Sequence, residues 1–496
     1  MMNSEAIDNH KVVPAPGKTG DAISRDPVWN VLQVLEATGG SLLGNHGDTE
    51  FRGVSTDTRN LAPGDLFVAL DGEIYDGHDY VGKALEKKAA GLVVSKKVTA
   101  PLGLPVVMVE DTLQALGDLA RHRRTQIPGL QVLAITGSSG KTTVKEMTAA
   151  IASQHHQVVK TQGNFNNLIG LPLSLLPVDC GHELAILEMG MNSPGEISRL
   201  TEIADPDIGC IVNIQESHLA GLGSIEDVAR AKGELFSGIR QQGKLAVNLD
   251  DSRVKALADQ SSRHHITFGR HRNAEIRATQ ITCIGESGMK FTLQIGNATE
   301  RVNISTPGVH NVLNSLAAAA LAHGVGIDIG DICSGLGSFR APAKRFQIQQ
   351  HISGVKLIND TYNANPSSVI AALETLRDLG GNSRRVVVLG DMLELGEQSR
   401  AIHEGIGERI CRLGNEYFLT YGDMAARAAE AAVAAGMNTA GVRSFDDKQK
   451  VQEWIEGLLV TGKLSRGDWI LFKGSRGMQM ETIIEALLGG GDGGSG

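Results

Sequence analysis

The residues with the plainest chemical purpose are Gly137-Ser138-Ser139-Gly140-Lys141-Thr142-Thr143. They follow the apolar run Val132-Leu133-Ala134-Ile135 and lead into a helical stretch opening with Val144-Lys145-Glu146-Met147. Strand, glycine turn and helix start together make an anion site, because backbone N–H groups converge there and the helix dipole favours negative charge. The spacing predicts that Lys141 reaches the terminal phosphates and that the Thr142 hydroxyl holds Mg²⁺. Only two residues separate Gly137 from Gly140, and Ile135 stands where an outer glycine would be, so the loop is shorter than the common form. Packing glycines alone would not explain Lys-Thr-Thr at a helix start. Gly137 to Thr143 therefore read as contacts to a nucleotide such as ATP.

Other candidates lie at strand ends. Leu184-Ala185-Ile186-Leu187-Glu188 is an apolar strand closing on a carboxylate, placed where α/β sheets collect ligands and where an acid can help hold Mg²⁺. The strand beginning at Ile208 leads to Glu216-Ser217-His218, and Lys232 follows within Ala229-Arg230-Ala231-Lys232-Gly233-Glu234. Taken singly, His218 reads as a surface histidine and Lys232 as a solvated helix residue. A protonated lysine has no lone pair and repels a cation.

The elements that must position these groups alternate. Residues 29–130 read as a mixed α/β domain, with strands at Leu66–Leu70, Gly91–Val94 and Pro105–Val109 and helices over Val81–Ala90 and Thr112–Arg124; a short helix from Val31 and a turn near Leu42-Leu43 precede them. Residues 131–341 alternate strand and helix, which predicts a parallel sheet covered by helices. Within them, Ile266–Ser305 is rich in Thr, Ile and Val and predicts an antiparallel flap, and Leu313–Ala322 an Ala-rich helix. After Ala341-Pro342-Ala343, residues 342–488 carry apolar strands at Val355, Val386, Phe418 and Trp469 and predict a second doubly wound, Rossmann-like domain. Residues 1–28 read as a disordered extension and 489–496 as a flexible tail.

Bulk properties exclude several classes. A net charge of −9 over 496 residues gives no electrostatic reason to expect nucleic acid or an anionic membrane as partner. The polar start lacks the apolar core of a secretion signal, and no apolar run approaches the roughly 20 residues of a membrane span. The five cysteines are scattered with no CxxC pair, so the chain reads as a reduced cytoplasmic protein without a disulfide scaffold or zinc site.

Jointly the motifs are more specific. Thr136–Thr143, Glu188, His218 and the Ala231-Lys232 helix follow the order of the ATP-dependent Mur ligases of peptidoglycan synthesis, which this chain resembles from about Val31 to Leu488. Gly308-Val309-His310-Asn311-Val312-Leu313-Asn314 resembles that family's adenine-contacting segment, and Pro342-Ala343-Lys344-Arg345-Phe346 its arginine-bearing linker. Ser55-Thr56-Asp57-Thr58-Arg59, with Phe67–Gly72 and Asp76-Gly77-His78, resembles its UDP-sugar-binding N-terminal domain. Asn359–Pro366, Gly390–Gly396 and Lys473-Gly474-Ser475-Arg476 with Met480-Glu481 resemble the branch that joins D-alanyl-D-alanine to UDP-N-acetylmuramoyl-tripeptide; the Asp-Asn-Pro-Arg signature of the diaminopimelate-adding branch is absent.

The resemblance implies a fold of three α/β domains, ATP between the second and third, and an acyl phosphate intermediate. It implies that Lys232 becomes a carbamate by adding CO₂, which would turn a cation into an oxygen ligand, and that Thr142, Glu188, His218 and this carbamate hold Mg²⁺. Asn311, Asn314, Arg345 and Asp360 are the further ATP contacts it implies. Ser55, Thr56, Asp57, Arg59, Asn164, Asn166 and Asn167 would face the UDP-sugar-peptide, and Asn363 and Asn365 the dipeptide. A monomer is the expected state. Competing readings are another amino-acid-adding Mur ligase, a folate polyglutamate-type ligase, against which the UDP-type motif speaks, and a nucleotide-regulated binding protein without ligation.

Overall fold

The computed structural model describes residues 29–43, 48–72, 74–217 and 219–489. The expected extension (1–28), nearly all of the expected tail and His218 lie outside the described residues. The chain divides at Arg123/Arg124 into two compact units.

The first unit is built on a five-stranded sheet ordered Ser41–Leu43, Val106–Met108, Gly91–Val94, Leu66–Val68, Val54–Ser55. Only the Ser41–Leu43 pairing is antiparallel. Leu66–Val68 and Gly91–Val94 are buried at every position, as strands covered on both faces must be, and hence read as unbroken apolar runs. The turn expected at Leu42-Leu43 is instead an edge strand. The helix expected over Val81–Ala90 ends at Glu86.

The second unit holds two sheets. The larger has nine strands, ordered Ala298–Ile304, Met289–Ile295, Ile276–Cys283, His264–Gly269, Lys244–Asn248, Ile208–Ile211, Gln131–Thr136, Leu184–Glu188, Val158–Lys160. The pairings from Val158–Lys160 through Ile276–Cys283 are parallel, and the last two are antiparallel. The antiparallel arrangement expected over Ile266–Ser305 holds for Ile276–Cys283, Met289–Ile295 and Ala298–Ile304, whereas His264–Gly269 ahead of them is a parallel member of the main sheet, which this meander extends. Thr, Ile and Val favour any strand and do not name the partner. Against this sheet pack the phosphate-loop helix Lys141–Ala152 and the helix Val309–Gly324. The second helix starts earlier than the Ala-rich run alone indicates and is buried along most of its length, its small side chains letting sheet and neighbouring helix approach.

The smaller sheet has six strands, ordered Gln347–Gln350, Lys356–Asp360, Trp469–Lys473, Arg385–Gly390, Tyr417–Tyr421, Val442–Phe445, all parallel except the first pair. Its two edges, Gln347-Ile348-Gln349-Gln350 and Val442-Arg443-Ser444-Phe445, mix polar with apolar residues and so give no continuous apolar run in sequence. The strand ends Thr136, Glu188, Asp360 and Lys473 carry the site.

Candidate nucleotide site

Gln131–Thr136 is buried from Val132 onward and releases the chain into the loop at Gly137. Gly140 caps the following helix at φ +82°, a left-handed conformation that favours glycine, and a Cβ there would lie 2.4 Å from Asn314 Oδ1. The loop is clamped to the end of the neighbouring strand. Ser138 N–H donates to the Asn213 carbonyl (3.1 Å), and Ser139 N–H to Asn213 Oδ1 (2.9 Å). Asn213 Nδ2 returns a bond to the Ser139 carbonyl (3.2 Å). Ser138 Oγ donates to the Gln215 carbonyl (2.8 Å) and accepts from Gln215 N–H (2.9 Å) and from Ser217 Oγ (3.0 Å).

The Ser138 and Ser139 amides are spent on Asn213. The amides of Gly140, Lys141, Thr142 and Thr143 have no acceptor among the described residues, and these open the helix. Lys141 Nζ donates to the Gly137 carbonyl at 2.8 Å, which leaves its remaining hydrogens for phosphate oxygens. Burial holds the Lys141 ammonium below the ordinary lysine range; Glu188 and Glu394 oppose that shift and Arg345 adds to it.

Glu188 is 3% exposed and held at both carboxylate oxygens. Thr142 Oγ1 donates to one at 2.7 Å and Asn166 Nδ2 to the other at 2.9 Å. Its backbone N–H donates to Thr161 Oγ1 at 2.9 Å, and the Thr161 carbonyl in turn accepts from the buried Lys145 Nζ at 2.7 Å. Asn167 Oδ1 accepts from Gly170 N–H at 2.9 Å, whereas the Asn164 side chain is exposed.

From the linker that leads into the smaller sheet, the Arg345 guanidinium donates to Thr142 Oγ1 at 2.8 Å and lies over the Tyr362 ring at 4.0 Å. The residues on either side of it, Lys344 and Phe346, have φ of +63° and +51°, a left-handed conformation costly for side chains of this size. Contacts that hold that linker include Lys344 Nζ to Glu481 Oε1 (2.8 Å), Tyr362 N–H to the Lys344 carbonyl (3.1 Å), and Phe346 N–H to Asp360 Oδ1 (3.1 Å). Asp360 Oδ2 pairs with the buried Lys473 ammonium at 2.6 Å. Asp360 thus braces the arginine linker.

Asn311 and Asn314 are buried on the helix Val309–Gly324, with Asn311 Nδ2 on the Pro307 carbonyl and Asn314 Nδ2 on Asn311 Oδ1. Nearby, burial drops the His310 imidazole to about 4, so the ring is neutral at pH 7. Asn363 Oδ1 accepts from Ala364 N–H, and Asn365 caps the helix Pro366–Gly380 while its Nδ2 donates to the Ser138 carbonyl at 3.0 Å.

Lys232 lies on the helix Ile225–Gly238 and is 1% exposed. Burial, with Lys141 as a neighbouring positive charge, pushes its ammonium well below the ordinary lysine range. In the first unit, Asp57 accepts from Arg59 (2.7 Å) and Ser55 Oγ accepts from Asp57 N–H, with Thr56 half-buried between them. The second unit therefore brings together Gly137–Thr143, Glu188, Asn166, Arg345 and Asn365.

Asn213 and Gln215 carry no role from sequence, although they follow an apolar strand and the rule that ligands gather at strand ends pointed there. Lys473, a lysine buried in an otherwise apolar strand, was a comparable signal.

A phosphate loop at the end of one parallel sheet, met by an arginine from the linker into a second, defines a nucleotide-binding α/β protein. Residues 50–124 match the Mur ligase family catalytic domain, 135–322 the Mur ligase middle domain, and 344–476 the Mur ligase glutamate ligase domain. A Bacillus subtilis protein named UDP-N-acetylmuramoyl-tripeptide–D-alanyl-D-alanine ligase is 37% identical, covering 93% of this chain and 98% of its own. The Escherichia coli protein of the same name is 38% identical, covering 92% and 97%. Among solved structures, MurF from Acinetobacter baumannii aligns with a TM-score of 0.86 at 32% identity, over 93% of this chain and 99% of that one. MurF from Thermotoga maritima in complex with ADP aligns at 0.77 and 27%, over 88% and 97%. The chain belongs to the Mur ligase family and has its three-domain α/β fold.

Proposed function

We propose that this chain is an ATP-dependent amide ligase that joins D-alanyl-D-alanine to UDP-N-acetylmuramoyl-tripeptide, giving the pentapeptide, ADP and phosphate in cytoplasmic peptidoglycan precursor synthesis. The observation that carries the reading is Thr142, which bonds both Glu188, at a strand end of the larger sheet, and Arg345, in the linker that leads into the smaller one. One hydroxyl at the phosphate loop is shared by both halves of the site, within a chain whose similar relatives bear that name. A monomer suffices, because both sheets come from one chain.

A carboxylate oxygen of the tripeptide attacks the γ-phosphorus of ATP, and the bond to the bridging oxygen breaks to release ADP. The dipeptide amine then attacks the acyl carbon, phosphate departs with its oxygen, and the amine loses a proton. Lys141 and the Gly140–Thr143 amides orient the phosphates and offset their charge. Arg345, a fixed cation stacked on Tyr362, adds charge stabilisation from the linker into the facing sheet. Docking of that sheet keeps water from the acyl phosphate.

The donors suit Mg²⁺, a hard cation that takes one or two protein oxygens beside substrate phosphates. Thr142 Oγ1 and Glu188 would hold it, and when bound it neutralises phosphate charge. Lys232 fits only as a carbamate. Its depressed pKa favours the neutral amine, whose lone pair can add to the carbon of CO₂ with loss of a proton to solvent. His218 is proposed as a further ligand from the family order alone.

The test is ADP release with UDP-N-acetylmuramoyl-tripeptide and ATP, with and without acceptor. D-Alanyl-D-alanine should support turnover far better than L-alanyl-L-alanine or a free amino acid, since a site built on hydrogen bonds rejects ligands that leave its groups unpaired. Equal turnover with diaminopimelate, lysine or glutamate would place the chain on another branch of the family.

A further inference from the structure

The phosphate loop is held from both sheets, and a single peptide group carries both attachments. The Ser138–Ser139 peptide gives its N–H to Asn213 Oδ1 at 2.9 Å and its carbonyl to Asn365 Nδ2 at 3.0 Å. Asn213 follows a strand of the larger sheet. Asn365 opens the helix Pro366–Gly380, which packs against the smaller one.

The side chain of Asn365 is built into that helix. Its Oδ1 accepts from Ser368 N–H at 2.9 Å, its own N–H donates to Ser368 Oγ at 3.0 Å, and Pro366 takes the first helical position. This is a complete capping box, so the amide has no independent freedom and moves with its helix. The oxygen serves the cap, and the nitrogen is aimed at the phosphate loop.

We propose that Asn365 is a positioning residue, whose amide latches the Ser138–Ser139 peptide plane when the smaller sheet docks on the larger. With the latch made, the plane is pinned at both ends, and the amides of Gly140 to Thr143 that follow it keep one orientation. With the latch broken, the Ser138 carbonyl loses its partner while the bonds to Asn213, Gln215 and Ser217 remain, and Gly137 and Gly140 on either side permit the peptide plane to tilt. Docking is thereby transmitted to the phosphate-binding amides through one hydrogen bond. The role goes beyond the dipeptide contact expected from sequence, and it rests on the ligase reading for its effect on turnover though not on nucleotide binding.

Two variants separate latch from cap. Asn365→Ser keeps a neutral capping oxygen but is too short to donate to Ser138, and Asn365→Asp keeps cap and length but replaces the donor with an oxygen. Because Ser, Asp and Asn cap comparably, both full-length variants should melt within about 3 °C of the wild type. ADP affinity, read by calorimetry without other substrates, should fall about tenfold, as for a lost hydrogen bond that leaves a shielded carbonyl unpaired. The kcat should fall at least as far, while the dipeptide KM stays within about twofold. Wild-type ADP affinity and kcat in both variants would overturn the latch. So would a dipeptide KM raised about tenfold with ADP affinity unchanged, which would return Asn365 to acceptor binding. If the wild type binds ADP but releases none in response to dipeptide, the ligase reading fails while the calorimetric arm still decides the latch. Should Asn365→Ser melt early, Asn365→Asp carries the same test.

Discussion

Replacing Glu188 with glutamine keeps the shape of the side chain and removes its charge. Consecutive contacts of 2.8 and 2.7 Å through Thr142 Oγ1 put the Arg345 guanidinium within about 5.5 Å of the Glu188 carboxylate. At an effective dielectric of about 20, unit charges at that distance attract by roughly 3 kcal/mol, and salt screening of the half-buried arginine reduces this to about 2. The bonds from Thr142 and Asn166 become neutral rather than charge-assisted, each losing about 1 kcal/mol at most. If Glu188 holds Mg²⁺ as proposed, the same change withdraws an anionic oxygen from the metal. Glu188→Gln should therefore lower kcat/KM by about 10²- to 10³-fold, since 1.36 kcal/mol is a factor of ten. Its melting temperature should hold, because uncharging a residue that is 3% exposed recovers desolvation free energy that offsets the weaker contacts. Glu188→Asp, which keeps the charge but cannot span both partners, should fall between. The assay is ADP release at saturating Mg²⁺, with thermal unfolding followed in parallel. A Glu188→Gln enzyme within about fivefold of wild type would refute the charge argument.

Lys141→Ala should abolish ADP formation without lowering the melting temperature, since the bond it loses among the described residues, to the Gly137 carbonyl, is local; near-normal turnover would remove Lys141 from phosphate binding. Lys232→Ala should lose activity that a short carboxylic acid partly restores by supplying the missing oxygen, and ¹³C-labelled CO₂ should give a carbamate resonance in the wild type but not in the variant. Stability should fall on acidification: unfolding lets His310 regain a proton at its ordinary 6.5, whereas burial holds the folded ring near 4. The unfolded chain thus binds more protons in that window, so the contribution of His310, full above pH 6.5, is lost as pH falls to 4, and thermal unfolding of His310→Gln should show a shallower acid slope.

Much of this protein is decided locally and can be read along the chain. Gly137 to Thr143 sit between an apolar strand and a helix start, and that order alone forms an anion site, because the amides of a helix start face outward whatever surrounds them. The buried strand interiors 132–135, 184–187, 386–389 and 469–472 are continuous apolar runs for an equally local reason: a parallel strand covered on both faces has no polar side. What sequence left open is pairing and partnership. The mixed edges 347–350 and 442–445 gain their strand character from neighbours, and the Ile266–Ser305 segment fixes its place in the main sheet only through which strand it meets. The resemblance implies ligand contacts for Asp360 and Asn365, but the sequence does not name their partners within the protein. Only the tertiary structure assigns Asp360 to Lys473 and the Phe346 amide, and Asn365 to the Ser138 carbonyl. A side-chain amide or carboxylate has the same donors and acceptors wherever it stands, and its partner is set by packing between segments far apart in the chain.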